Sequence, residues 1–324
     1  MSGSAQAAVE LVALQAGGIE IEPVDVGQDE ALGALRDLAG DPRVAAAVVG
    51  PWTPAPEGAI ETLAGAAMPV VSLSSSWGPP AGDPGPWLSL AVDETAEAEQ
   101  LLRAAGDDRP GRVCAAGGRD PVSRGLLAAV RRESSAFGIR RLRVIGTVDP
   151  ERPEDAQAVA GRLAAGECST LVWTGGAEAA APLLEQGSGA VRVVATSRMK
   201  TDRGLALAQD VRAQLSTVCV CADITLSSTL RHQRFVHDFE ANSADAPGPF
   251  AVEAYDATRL LVEFLRRGTG TRAELAARLA SVQSFPGLVG RYDRRPGEPG
   301  RFLAATAGLW RARGSRWLPV EPSP

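Results

Sequence analysis

The sequence predicts an α/β protein made of two doubly wound parallel-sheet lobes. Three observations carry that reading. Short apolar runs alternate with helical stretches along most of the chain. The alternation breaks at GDDRPGR, residues 106–112, and then restarts. At 324 residues the chain is long enough for two domains with buried cores.

The first array is read in order. Ala5–Gln15 is helical and ends at Gly17-Gly18. Ile19–Val26 (IEIEPVDV) alternates with period two and reads as a strand. Glu30–Leu38 is a helix that stops at Gly40. Val44–Val49 is a continuous apolar run, as suits a parallel strand covered on both faces. A loop, GPWTPAPEG, leads to helix Ala59–Ala66 and strand Pro69–Leu73. The loop SSSWGPPAGDPGP is too rich in Pro and Gly to be regular. Strand Trp87–Ala91 and helix Thr95–Ala105 complete the array.

The second array has strands Val113–Ala116, Leu142–Thr147, Thr170–Thr174, Val191–Ala195 and Thr217–Ala222. Helices Arg124–Ser134, Pro153–Leu163, Ala177–Gln186 and Leu205–Ala208 lie between them. Crossovers of this kind are right-handed. Beyond them, Pro247-Gly248-Pro249 leads into an apolar helix. There Val252, Tyr255, Ala257, Leu260, Leu261, Phe264 and Leu265 recur at helical spacing and form a buried face. A GTGT turn, a helix RAELAARLASV and the segment SFPGLVGRYDRRPGEPGRF follow. Leu303–Trp310 and Trp317–Val320 read as a terminal strand pair, and the tail EPSP as frayed.

Composition narrows the function. The net charge is -6 with no basic block, which argues against nucleic acid as a partner. No apolar run reaches the roughly 20 residues of a membrane span. The two histidines, His232 and His237, lie five apart on a helix and point about 140° away from each other, so they do not form a metal pair. No nucleophile elbow, Walker A loop or zincin motif is present. Gly117-Gly118-Arg119-Asp120 lacks the spacing of a dinucleotide loop. Asp93 is read as a helix cap, with Glu94, Glu97 and Glu99 as a solvated face. Cys114, Cys168, Cys219 and Cys221 are read as buried small hydrophobes, with a CxC metal half-site as the minor alternative. Cys219 and Cys221 on one strand face have poor geometry for a mutual disulfide. No cofactor and no catalysis are expected.

The order P-x-A-x-x-AYDA-x-x-LL, a short helix, then F-x-G-x-x-G-x-Y-D, over Pro247 to Asp293, resembles the type 1 periplasmic binding proteins. The branch that it resembles is the branched-chain amino-acid-binding proteins of ABC importers. The resemblance implies three crossovers, expected near Asp108–Arg112, Asp223–Ser228 and Gly287–Tyr292. Lobe one is then 1–111 with 225–289, and lobe two is 112–224 with 290–324. It implies a small polar ligand, an amino acid or related carboxylate, held between the lobes, with ABC permease subunits as partners and a monomeric state. It also implies an extracellular or cell-surface lipoprotein. The chain opens almost directly on a helix, so a signal and first strand are expected to be missing; a true start at Met1 would instead make it cytoplasmic.

Ligands of open α/β sheets sit at the carboxyl ends of strands. In lobe one the resemblance places Thr53, Ser74, Ser75 and Ser76 at the ligand carboxylate. Trp52 and Trp77 flank them, as ligand walls or as plugs of the lobe base. In lobe two the matching positions are Val122, Ala177 and Ser197, with Arg198 beside them. The acidic residue that would meet a ligand ammonium is lost from these loops, and Arg198 and Lys200 favour a carboxylate unless they are simply solvated. Tyr255 and Asp256 are expected to pack and cap, away from ligand. Two rival readings are a ligand-sensing domain of a signalling protein and a cytosolic α/β enzyme.

Overall fold

The computed structural model describes residues 3–24, 28–80, 85–106, 112–186, 191–210, 214–243, 245–268, 271–298, 300–303, 308–314 and 316–320. In chain order the elements begin α1 (Gly3–Ala16), α2 (Gln28–Gly40), β1 (Ala47–Val49), α3 (Ala59–Gly65), β2 (Val70–Ser72) and β3 (Trp87–Ser89). Next come α4 (Glu94–Gly106), β4 (Val113–Gly118), α5 (Pro121–Glu133), β5 (Arg143–Val148), α6 (Pro153–Ala164) and β6 (Thr170–Trp173). Then follow α7 (Ala177–Glu185), β7 (Arg192–Ala195), α8 (Asp202–Asp210), β8 (Gln214–Cys219) and α9 (Leu230–Ser243). The chain closes with α10 (Ala251–Arg266), α11 (Arg272–Ser281), β9 (Ser284–Gly287), β10 (Gly290–Arg294), β11 (Phe302–Leu303), β12 (Gly308–Arg313) and β13 (Arg316–Pro319).

The chain divides into two compact units. One holds Met1–Val92 and Ala222–Ala305, the other Asp93–Cys221 and Thr306–Pro324. Neither expected boundary set holds in detail. The first passage comes before α4, so this helix belongs to the second unit and packs on α5. The third comes after β11, so the antiparallel sheet β11-β10-β9 stays in the first unit. The expected passage at 108–111 and the tail 321–324 lie outside the described residues.

The first unit carries a parallel three-stranded sheet, β1-β2-β3. Its core joins β2 and β3 to α1, α9, α10 and α11. On α10, Val252, Ala257, Leu260 and Leu261 are buried, and Tyr255, Phe264 and Leu265 are partly so. Ile19–Val24 forms no strand; the last two residues of that expected element are not described. The alternation there puts Glu20 and Glu22 beside Ile19 and Ile21, but no described strand pairs with it.

In the second unit the sheet order is β13-β12-β8-β7-β6-β4-β5. The five strands β4 to β8 are parallel, and the terminal pair β12–β13 adds antiparallel to β8. This order reverses direction between β4 and β6. Strand β5 lies to one side of β4, and β6, β7 and β8 to the other. Such a topological switch point opens a crevice at the carboxyl ends of its two strands.

The cysteines are paired, which corrects the expectation of buried free thiols. Cys114 of β4 bonds to Cys168, just ahead of the neighbouring strand β6, and Cys219 bonds to Cys221. The second pair is possible because β8 ends at Cys219 and the chain bends at Cys221, so the two do not share one extended strand face.

Candidate functional site

In the first unit, loops Gly50–Thr53 and Leu73–Trp77 follow β1 and β2. The serines turn inward. Ser74 Oγ and Ser76 Oγ each donate to the Thr53 carbonyl at 2.8 Å, and lie 3.2 Å apart. Ser72 Oγ donates to the Ser74 carbonyl at 3.0 Å. Two hydroxyl protons therefore staple one loop to the other and are not aimed at an anion. Ser75 is half-buried and takes no part in this staple. Trp77 is a plug: it is buried with Met68, Val70 and Trp87, and its carbonyl accepts from Trp87 Nε1 at 3.0 Å. Trp52 is half-buried and packs edge-on against Phe250, with ring centroids 5.4 Å apart. Both residues have left-handed backbone, at φ 59° and 65°. Each such bulky residue costs on the order of 1–3 kcal/mol, which the surrounding contacts must hold in place.

In the second unit, three loops leave the carboxyl ends of β4, β6 and β7. Asp120, after β4, caps α5 through Ser123 N at 3.0 Å. Pro121 at the helix start has no N–H to leave unpaired. Thr174, after β6, donates its hydroxyl to the Ser123 carbonyl at 3.0 Å and ties the loops together. Arg198, after β7, reaches across both. Its Nη1 donates to Asp120 Oδ1 at 2.9 Å and to Ser123 Oγ at 2.8 Å. Its Nε and Nη2 lie along Gly176, where an added Cβ would sit 3.5–3.6 Å from them. Thus one guanidinium spans the switch point. Burial pushes the Asp120 carboxyl up, but Arg198 and the Ser123 donors outweigh it and hold it below the ordinary range.

Val122 is half-buried at the start of α5, and Ala177 is buried at the start of α7. Ser197 is fully buried. Its Oγ donates to Glu97 Oε1 at 3.1 Å, and Thr196 Oγ1 donates to the same oxygen at 2.6 Å. Glu97 is therefore not part of a solvated face. Burial raises its carboxyl, partly opposed by these donors. Glu94 is raised as well, by burial and then by Glu97. Asp93 does cap its helix, accepting from Ala96 N at 2.7 Å. Lys200 is buried over the Trp310 ring at 4.0 Å, so it does not join Arg198 in the loops. Glu97 was illegible because its partners lie about a hundred residues away.

Tyr255 and Asp256 are scaffold. Tyr255 donates to Gln15 Oε1 at 3.1 Å, and Asp256 Oδ2 accepts from Leu288 N at 2.8 Å and Tyr292 OH at 3.1 Å. His232 bridges Ser227 Oγ and the Leu288 carbonyl. Among the described residues no group of three His, Cys, Asp or Glu could hold a metal, and no helix is long and apolar enough to cross a membrane.

A periplasmic binding protein family profile matches residues 1–308. The chain belongs to that family. Its solved relatives share the fold at low identity. LivK of Thermotoga maritima, a leucine-binding protein, is 14% identical with a TM-score of 0.78, over 99% of this chain and 94% of that one. LivJ of Streptococcus pneumoniae, solved with isoleucine, is 18% identical with a TM-score of 0.75, over 99% and 93%. A solute-binding protein of R. palustris, solved with benzoate, is 14% identical with a TM-score of 0.77, over 98% and 90%. No curated protein matches the chain by sequence. The fold is that of a type 1 periplasmic binding protein, and the family is one of solute binders rather than enzymes.

Proposed function

We propose that this protein is the extracytoplasmic solute-binding component of an ABC importer. The family match over residues 1–308 carries the reading. Relatives of the same fold hold isoleucine and benzoate, so the solute class is a small amino acid or related carboxylate. Two disulfides fit an oxidising compartment outside the cytoplasm.

The loops that follow the parallel strands are the proposed contacts: Trp52, Thr53 and Ser75 in the first unit, with Val122, Ala177 and Arg198 in the second; the Ser74, Ser76 and Ser197 hydroxyls already donate to Thr53 and Glu97 and leave that set. Trp77 is withdrawn from that set because it is core. The protein acts as a monomer and delivers its solute to permease subunits, with no chemical step.

A thermal-shift panel on dialysed protein tests this. It holds amino acids, aliphatic and aromatic carboxylates, amides and sugars, with calorimetry on the hits. Solute at about 100 times Kd stabilises by roughly 2.7 kcal/mol, a shift of a few degrees. One-to-one binding without turnover is expected. A silent panel on well-folded protein would refute the reading.

A further inference from the structure

We propose that the second unit receives the anionic end of a carboxylate ligand that carries no ammonium group, with the Nε–Nη2 edge of Arg198 as its acceptor. This rests on the solute-binding reading and names the class of solute within it.

The argument begins with position. The β4/β6 switch point is where a doubly wound sheet opens its crevice. Arg198 lies over it and touches the loops of both strands. A guanidinium binds carboxylate best through two parallel N–H bonds from one edge. Here Nη1 is spent on Asp120 and Ser123, which fix the plane of the group. The Nε and Nη2 atoms have no partner among the described residues, and Gly176 has no side chain to cover them. The side chain is 22% exposed, so the edge is reachable yet partly desolvated.

Asp120 and Glu97, the acidic side chains bonded into these loops, are already engaged. The Asp120 carboxylate is engaged by Arg198 and by both Ser123 donors. Oε1 of Glu97 accepts from Thr196 and Ser197, and burial pushes its carboxyl up against these donors. An ammonium would also face Arg198 directly.

The test uses matched probes on the dialysed full chain: leucine against isocaproate, which is leucine without its ammonium, and benzoate against benzamide. Isocaproate or benzoate is expected to bind at least tenfold more tightly than its partner. Arg198→Gln is expected to weaken that binding about tenfold or more, and Arg198→Lys to weaken it less. Should Arg198→Gln fold poorly by its ligand-free midpoint, Gly176→Val supplies the second test, since it covers the same edge without changing charge. Leucine binding as tightly as isocaproate would overturn the inference while leaving solute binding intact. So would hits confined to amides or sugars, or carboxylate affinity unchanged in well-folded Arg198→Gln and Gly176→Val. Silence across every class would instead bring down the solute-binding reading on which the inference stands.

Discussion

Asp256 lies under the turn between β9 and β10 and is 2% exposed. Its Oδ2 holds Leu288 N and Tyr292 OH, while its buried Oδ1 has no partner among the described residues. Burial pushes the carboxyl up from 3.8 to about 6, against the two donors. The folded chain thus holds this proton more firmly than the unfolded chain. The resulting stabilisation is complete below about 3.8 and is lost as pH rises through about 6. A shift of this size corresponds to about 3 kcal/mol. Asp256→Asn removes the ionisation, so the variant should lose less stability than wild type between pH 4 and pH 8 in urea unfolding. Parallel pH profiles for the two proteins would refute this. Gly287 beside it is fixed by space. A Cβ there would sit 2.2 Å from Tyr292 Cε2 and 2.4 Å from Asp256 Oδ2. Gly287→Ala should therefore cost about 2 kcal/mol, read as a lower urea midpoint. The sequence shows this F-x-G-x-x-G-x-Y-D pattern plainly, because the constraint is local to one hairpin and one helix. It did not show the inward turn of Ser74 and Ser76, because hydroxyls in a loop serve a ligand or a carbonyl equally well.

At the scale of elements, the strands β4, β6 and β7 were legible because buried parallel strands read as continuous apolar runs, whereas β8 (Gln214–Cys219) starts three residues ahead of the expected Thr217–Ala222 because Gln214, Ser216 and Thr217 break its apolar run. Helix α4 was legible as a helix and misplaced as a partner. Chain order put it with the strands before it, but its apolar face, with Leu101, Leu102 and Ala105, is buried on the side of the second unit. The strand at Ile19–Val24 failed for the opposite reason: alternation alone makes no strand unless a neighbour pairs with it, and no described strand does. Pairing of Cys114 and Cys168 was hidden because strand adjacency across 54 residues is a property of topology. That bond closes a loop around α5, β5 and α6. Chain-entropy arguments assign about 4 kcal/mol to a loop of this length. A Cys114→Ala/Cys168→Ala double variant should unfold at a lower urea midpoint than the oxidised protein, and reductant should move it much less than it moves wild type. Equal midpoints for variant and oxidised protein would show that the bond contributes nothing.

At the scale of the molecule, α/β architecture and a discontinuous plan were readable, but not where the chain passes between units. Those passages leave no mark of their own: Val92/Asp93, Cys221/Ala222 and Ala305/Thr306 sit in ordinary sequence. The second unit shows why such a plan is stable. Strand β8 leaves it at Cys219, and β12 returns directly opposite, with Gly308 paired to Cys219 and Leu309 to Val218. Residues 222–305 are therefore an excursion from what would otherwise be a hairpin. Without β12 and β13, the edge of β8 would stand open and invite aggregation. A chain of residues 93–221 joined to 308–324 by a short Gly/Ser loop should therefore fold by itself, with one cooperative urea transition. Residues 93–221 alone should be less stable or aggregate. If the two behave alike, the terminal hairpin is ornament to the sheet. If neither unfolds cooperatively, the second unit depends on the rest of the chain for its fold.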